Sequence, residues 1–181
     1  MRLLSSEYFN KHLASLYHSI FTGLAVEEGC FVESAWQMVL VPYELNFEEN
    51  IYRALGIAAE TVGDREVIIT DIEPILPHQE TVVIPWMREA LEEVRCDTLL
   101  GHVDCALFGQ SGKWGAVVMK SEDGYTCIGG EEQFLRTFTE KAGSLSSIRE
   151  RFCLFMEKEW QLDMSLQQQI LAKVGWNSCR E

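Results

Sequence analysis

Residues 99–130 constrain the fold of this chain more than any other stretch, because they have the pattern of three consecutive antiparallel strands. Two turn-forming segments divide the stretch, residues 109–112 (GQSG) and residues 121–124 (SEDG). Turn residues that tolerate a positive φ between two apolar runs are a strong signal for a β-hairpin. The stretch therefore predicts a three-stranded meander.

The middle strand of this meander has two apolar faces. Its side chains alternate between Trp114, Ala116 and Val118 on one face and Gly115, Val117 and Met119 on the other. A strand with this pattern belongs at the centre of a sheet and needs cover on both sides. We therefore expect helices to pack against both faces.

The flanking sequence supplies those helices. Apolar residues at helical spacing predict one helix from Glu7 to about Gly23, one from Asn46 to Gly63, and one that begins at Pro85. Two or three more follow Gly130, with Ser144 or Ser147, and then Ser165, as their N-caps. Further strands are predicted over residues 36–45, 66–72 and 81–84. Pro42 lacks a backbone donor, which places the first of these strands at a sheet edge or a bulge.

Together these elements predict an α+β fold in a single globular domain over residues 1–181. Its antiparallel sheet has the meander of about residues 99–130 at its centre, and N-terminal, intervening and C-terminal helices pack against it. A chain of 181 residues with 47% hydrophobic content is long enough to bury one substantial core.

The net charge of the chain limits the classes of macromolecule that it can bind. The formal net charge is -13, from 28 acidic and 15 basic side chains, and no basic cluster interrupts the acidic background. Such a chain is not suited to nucleic-acid phosphates, whereas it would attract a basic protein. The N-terminal residues lack an apolar signal-peptide core, and no apolar run approaches the ~20 residues that cross a bilayer. We therefore expect a cytoplasmic protein with no membrane association.

The six cysteines occur without any CxxC pair, and buried free thiols are the expectation for them. The histidine and carboxylate spacings match no metal-binding motif, and no cofactor-binding motif is present. The segment 109–113 (GQSGK) is neither a P-loop nor a nucleophile elbow, because its spacing is wrong for the first and a strand follows it directly. We therefore expect no metal and no cofactor.

The candidates for catalysis are His102, Cys105 and His78. A cysteine becomes a useful nucleophile when a neighbouring base or positive charge lowers its pKa. Strand alternation would place His102 and Asp104 on one face and Cys105 on the other, so these three cannot form a local dyad. His78 could approach Cys105 only through the fold.

The candidate contact residues for a partner are acidic side chains in turns and at helix starts, together with one terminal tryptophan. They are Glu122, Asp123, Glu131, Glu132 and Trp176, with further acidic residues at positions 27, 28, 48 and 49. Trp176 follows Gly175 near the end of the chain, and we expect it to be exposed.

These observations favour a non-enzymatic protein that binds another protein. One concrete form is an immunity-type or inhibitor-type protein that covers a basic partner. The alternative is a small hydrolase or transferase whose site assembles around His78, His102 and Cys105. A third possibility is a homo-oligomeric scaffold, for which an apolar patch on the terminal helices would be the mark. The sequence leaves the strand order and the oligomeric state open.

Overall fold

The computed structural model describes residues 1–22, 26, 29–32, 36–42, 49–72, 80–120, 124–158 and 164–176, and these residues form one antiparallel sheet with helices around it. The helices are α1 Ser6–His12, α2 Ala14–Ile20, α3 Glu49–Thr61, α4 Arg88–Asp97, α5 Glu132–Ala142, α6 Leu145–Lys158 and α7 Met164–Lys173. The strands are β1 Arg2–Leu4, β2 Gln37–Pro42, β3 Glu66–Asp71, β4 Thr81–Pro85, β5 Cys105–Phe108, β6 Trp114–Met119 and β7 Tyr125–Gly130. A 3-10 helix covers Leu99–Gly101.

The sheet order is β1-β4-β3-β5-β6-β7-β2, and each neighbouring pair is antiparallel. The predicted meander is confirmed as β5, β6 and β7, which lie next to each other inside the sheet. The α+β class is confirmed with it. The residues of the second predicted turn, 121–123, lie outside the described residues.

Both faces of β6 are covered, as its two apolar faces predict. On one face the Trp114 ring stacks on Phe134 of α5, with ring centroids 5.3 Å apart. On the other face Gly115 lies under the last residue of α2 and the residue after it, where an added Cβ would be 2.8 Å from atoms of Ile20 and of Phe21. The close approach explains why glycine occupies this position in an otherwise bulky strand.

Strand β2 is an edge strand, which confirms one of the two positions that Pro42 predicts. The backbone N–H of Glu131 donates to Lys113 O on the β6 side of β7. Backbone groups of alternate residues point to opposite sides of an antiparallel strand, so the backbone of Tyr125, six residues before Glu131, also points to β6. The backbone of Pro42, which lies opposite Tyr125 in β2, therefore points away from β7. The missing N–H of Pro42 therefore removes no bond from the ladder.

Three predicted helix boundaries are wrong. The N-terminal helix is two helices, α1 and α2, because Leu13 between them has a φ of -118°, far from the α-helical value of about -63°. Pro85 does not begin α4, since it pairs with Glu66 as the last residue of β4, and the helix begins at Arg88. Ser165 lies inside α7, which begins at Met164, so it is not an N-cap. At Pro85, pairing with Glu66 outweighed the local signal for a helix start.

Side chains and glycines cap several of the helices. Ser5 caps α1 by accepting a hydrogen bond from the backbone N–H of Tyr8. Of the two residues predicted as the N-cap of α6, Ser144 is the cap. Its Oγ accepts a hydrogen bond from the backbone N–H of Ser147 at 3.1 Å. Gly143 and Gly175 follow α5 and α7 with φ of 116° and 72°, a conformation that glycine adopts without strain.

The cysteines do not all follow the expectation. Cys30, Cys105 and Cys127 are buried free thiols, as predicted, whereas Cys96 is a free thiol on the surface. Cys153 is disulfide-bonded, so the prediction of a free thiol is wrong there. Within the described ranges, no helix combines the length and the apolar character needed to cross a membrane.

Candidate functional site

The structure does not gather the described members of the predicted catalytic set into a site. His102 is exposed in the turn after the 3-10 helix, whereas Cys105 begins β5 and is 4% exposed. His102 therefore lies before β5 begins. The expectation that strand alternation places its side chain opposite that of Cys105 does not apply. The carboxylate of Asp104 accepts a hydrogen bond from the backbone N–H of Lys120. His78 lies outside the described residues.

The cavity beside Cys105 is small. Its volume is about 30 Å³, and most of the side chains around it are apolar, among them Ile69, Leu91, Leu107 and Val118. The Nζ of Lys120, which also lines it, donates to Leu100 O at 2.7 Å. A space of this size holds about one water molecule, whereas substrate pockets measure roughly 300–1,000 Å³. The cavity beside Cys105 offers no room for a substrate.

The predicted acidic contact residues lie in different surroundings. Glu131 and Glu132 are exposed at the start of α5, and Glu131 Oε2 lies 3.9 Å from Lys113 Nζ. Glu49 Oε2 lies 3.1 Å from Arg88 Nη1 in an exposed ion pair. Positions outside the described residues are Glu27, Glu28, Glu48, Glu122 and Asp123. Exposed ion pairs of this kind stabilise a protein by about 0–1 kcal/mol, so both glutamates can exchange their partners easily.

A groove of about 1240 Å³ lies at the β2 edge of the sheet. The start of β2 contributes Gln37, Met38 and Val39, preceded by Trp36. Helices α5 and α6, Lys173 at the end of α7 and the three residues that follow it contribute the rest of the lining. The groove exceeds the volume range of small-molecule pockets and has the dimensions to receive a segment of another protein.

The groove has exposed apolar side chains at its sides. Leu145 and Leu154, both of α6, are 47% and 44% exposed. They are nine residues apart on one helix, which places them on either side of the part of α6 that faces the groove. Trp36 is half-buried at the other wall and contacts Phe31, with ring centroids 5.6 Å apart. Apolar side chains that stay exposed around a concavity are typical of a binding surface.

Trp176 lines this groove but is not exposed, so that prediction is wrong. It is 6% exposed, and its ring contacts Phe152 of α6 at a centroid distance of 5.9 Å. Gly175 turns the chain back after α7, and the Trp176 N–H donates to Leu171 O at 2.9 Å. The indole therefore packs onto α6 and forms part of the groove lining. Its role as a contact residue stays a prediction.

The charged side chains of the groove balance one another. The acidic ones are Glu132, Glu150 and Glu157, and the basic ones are Arg136, Arg149 and Lys173. The excess negative charge of the chain therefore comes from the rest of the sequence, which carries the net -13. A partner would meet a locally balanced groove on a strongly negative protein.

The groove was not predicted from the sequence, although two apolar residues of α6 indicate it. The buried residues of α6 are Ile148, Phe152, Cys153, Phe155 and Met156. Leu145 and Leu154 are large apolar residues of this helix that are not among them. Apolar residues outside the buried face of an amphipathic helix indicate a second contact surface.

A buried carboxylate holds the first hairpin turn. Asp64 is 5% exposed, and it accepts hydrogen bonds from Ser111 N at 2.9 Å, Ser111 Oγ at 2.6 Å and Trp114 Nε1 at 2.9 Å. Gly112 has a φ of 69°, as the turn requires. Gly109 packs directly against the Asp64 carboxylate, where a Cβ could not fit. Because three donors occupy the carboxylate, its role is to hold the β5–β6 hairpin to the end of α3.

A second polar cluster lies at the ends of β3 and β4. The hydroxyls of Thr70 and Thr81 are 2.9 Å apart, and Thr70 Oγ1 donates to Glu80 O at 3.1 Å. Burial raises the pKa of Asp71 above its ordinary value, and the charge of Glu80 raises it further. Hydrogen bonds to the carboxylate lower the pKa but do not cancel the effect of burial. Asp71 lines neither the groove nor the cavity beside Cys105.

The raised pKa of Asp71 predicts a pH dependence of stability. The carboxyl ionises more readily in the unfolded chain than in the folded one, so its contribution to folding is present below pH 3.8 and falls as the pH rises through its folded pKa. We expect Asp71→Asn to lose less stability than the wild type as the pH rises from about 3.8 through the folded pKa of Asp71. Urea unfolding at several pH values measures this, and identical pH profiles for the two proteins would contradict it.

No cluster of three or more histidine, cysteine, aspartate or glutamate side chains that could hold a metal ion occurs among the described residues. Comparison of the chain with protein-family models, with curated proteins and with solved structures finds no match.

Proposed function

We propose that this protein binds another protein through the groove between β2, α5, α6 and the end of α7, and that its partner is basic. In its concrete form this is an immunity-type or inhibitor-type protein that covers a functional surface of its partner. The groove is the observation that supports the proposal, because it joins exposed leucines to a concavity larger than a small-molecule pocket.

Two physical terms would contribute to such binding. Apolar side chains of the partner would cover Leu145, Leu154 and the exposed part of Trp36, and removal of this area from water favours association. The net charge of -13 would speed the encounter with a basic protein and disfavour an acidic one. The first term gives affinity at the groove, and the second selects the class of partner.

The test compares the wild type with a variant of the groove and a matched control. Leu145→Ser with Leu154→Ser removes the two exposed leucines from the groove, and Leu99→Ser removes one that is equally exposed but lies outside it. We expect the double variant to bind its partner about 10- to 100-fold more weakly, whereas Leu99→Ser binds normally. All three proteins should have similar stability, because the replaced side chains are already exposed.

The partner is first captured from the native extract with the tagged wild type, and its affinity for the three proteins is then measured by titration calorimetry. Binding should weaken as the salt concentration rises from roughly 50 mM to roughly 300 mM, since salt screens the attraction between exposed charges. Equal affinity for all three proteins would contradict the groove. A monomer that retains no partner, or a chain that binds only a second copy of itself, would contradict the proposed function.

A further inference from the structure

Two fully buried thiols face each other where residues 29–32 meet β7. The Sγ atoms of Cys30 and Cys127 are 4.0 Å apart, and both residues are 0% exposed. Both are free thiols. Cys127 lies in β7, which is hydrogen-bonded to β6 on one side and to β2 on the other. The two residues are 97 positions apart, so only the tertiary fold brings them together.

Backbone pairing holds Cys30 at this place. Phe21 and Phe31 form an antiparallel bridge, and Thr22 N donates to Cys30 O at 3.1 Å. The ring of Phe31 lies directly over Gly129, where an added Cβ would be 2.6 Å from a ring atom. The approach of the two sulfurs is therefore set by an ordered backbone and not by the chance position of flexible side chains.

We propose that Cys30 and Cys127 are a modification site, a dithiol that hydrogen peroxide converts into an intramolecular disulfide. The bond requires the sulfurs to close from 4.0 Å to about 2.05 Å, a movement that two side chains can share. The inference is independent of the proposed function, because it depends only on the contact between the two thiols.

The chemistry balances with peroxide as the only oxidant. The first sulfur attacks one peroxide oxygen, the O–O bond breaks, and a sulfenic acid and water form. The second sulfur then attacks the sulfenic sulfur, the S–O bond breaks, and the hydroxyl group leaves with the proton of the second thiol as a second water. Both sulfurs are oxidised by one electron each, and the peroxide is reduced by two.

The surroundings make this reaction slow in the closed protein. The contact with Cys30 and complete burial both raise the pKa of Cys127, so this residue is held as a thiol and not as the reactive thiolate. Peroxide must also reach the pair, which requires local opening of residues 29–32. The disulfide would then link residues 29–32 to β7. Phe31 of this segment contacts Trp36, which lines the groove.

The test uses a Cys96→Ser background, which removes the exposed free thiol. The protein is treated with hydrogen peroxide, remaining thiols are blocked with N-ethylmaleimide, and the products of trypsin are analysed by mass spectrometry without reduction. Trypsin releases Cys30 in the peptide 12–53 and Cys127 in the peptide 121–136. We expect these two peptides linked, with the summed mass less two hydrogen atoms, as the principal new disulfide. The oxidised protein should also unfold at a higher urea concentration, and Cys127→Ser should show neither change.

A second arm repeats the treatment at a urea concentration below the unfolding midpoint, where the segment opens more often. The linked peptides should form faster there. If both cysteines remain free thiols in both arms, or if Cys105 pairs with either of them as often as they pair with each other, the assignment is wrong.

Discussion

Replacement of Asp64 by alanine should lower the free energy of unfolding by about 3–4 kcal/mol. The change leaves three donors, Ser111 N–H, Ser111 O–H and Trp114 Nε1–H, without the acceptor that they share. The indole is fully buried and cannot turn to water, and an unsatisfied buried donor costs about 1–3 kcal/mol. Urea unfolding followed by circular dichroism measures the loss.

Two variants make this prediction specific. Asp97→Ala removes an exposed aspartate from the end of α4 and should change stability by no more than about 0.5 kcal/mol. Asp64→Asn keeps one oxygen and should lie between the wild type and Asp64→Ala. If Asp64→Ala is as stable as Asp97→Ala, the carboxylate does not hold the hairpin.

Replacement of Trp114 by alanine should cost about 4 kcal/mol. Its side chain is among the largest fully buried ones, and it stacks on Phe134 with an interplanar angle of 11°. Trp86 packs against it as well, with ring centroids 5.6 Å apart. Loss of a buried tryptophan removes this contact area and leaves a cavity that neighbouring rings cannot fill completely. The measurement is again urea unfolding followed by circular dichroism.

Trp114→Phe separates the hydrogen bond of this side chain from its apolar contacts. Phenylalanine keeps most of the apolar contact but lacks the Nε1–H that Asp64 accepts, so we expect a loss of about 1–2 kcal/mol. Trp36→Ala is the control, because Trp36 is half-buried at the groove and should cost about 1 kcal/mol. Equal losses for Trp114→Ala and Trp36→Ala would contradict the central role of Trp114 in the core.

Local patterns predicted much of the fold correctly. Alternating apolar side chains and the turn at residues 109–112 predict β5 and β6 because strands and turns have strict side-chain and φ requirements. Helical spacing predicts α3 and α5, each of which buries one face. Boundaries were less predictable: Pro85 joined the sheet because pairing with Glu66 was available, and this partner is 19 positions away.

The site could be predicted only in parts. Glu132 and Trp176, both chosen from the sequence, do line the groove, but Trp176 is buried within it. His102 and Cys105 are close in sequence, yet one is on the surface and the other in the core. Leu145 and Leu154 became candidates only after the structure placed α6 beside α5 and β2.

By itself the sequence determined the class of the fold, the meander and most of the elements, because these depend on spacing within a few residues. The negative charge of the chain was determined in the same way, by composition alone. Only the tertiary structure decided which distant groups meet: Asp64 with Trp114, Cys30 with Cys127, and β2 with α5, α6 and α7 at the groove. Contacts of this kind are made between segments far apart in the chain, and no local pattern of side chains specifies them.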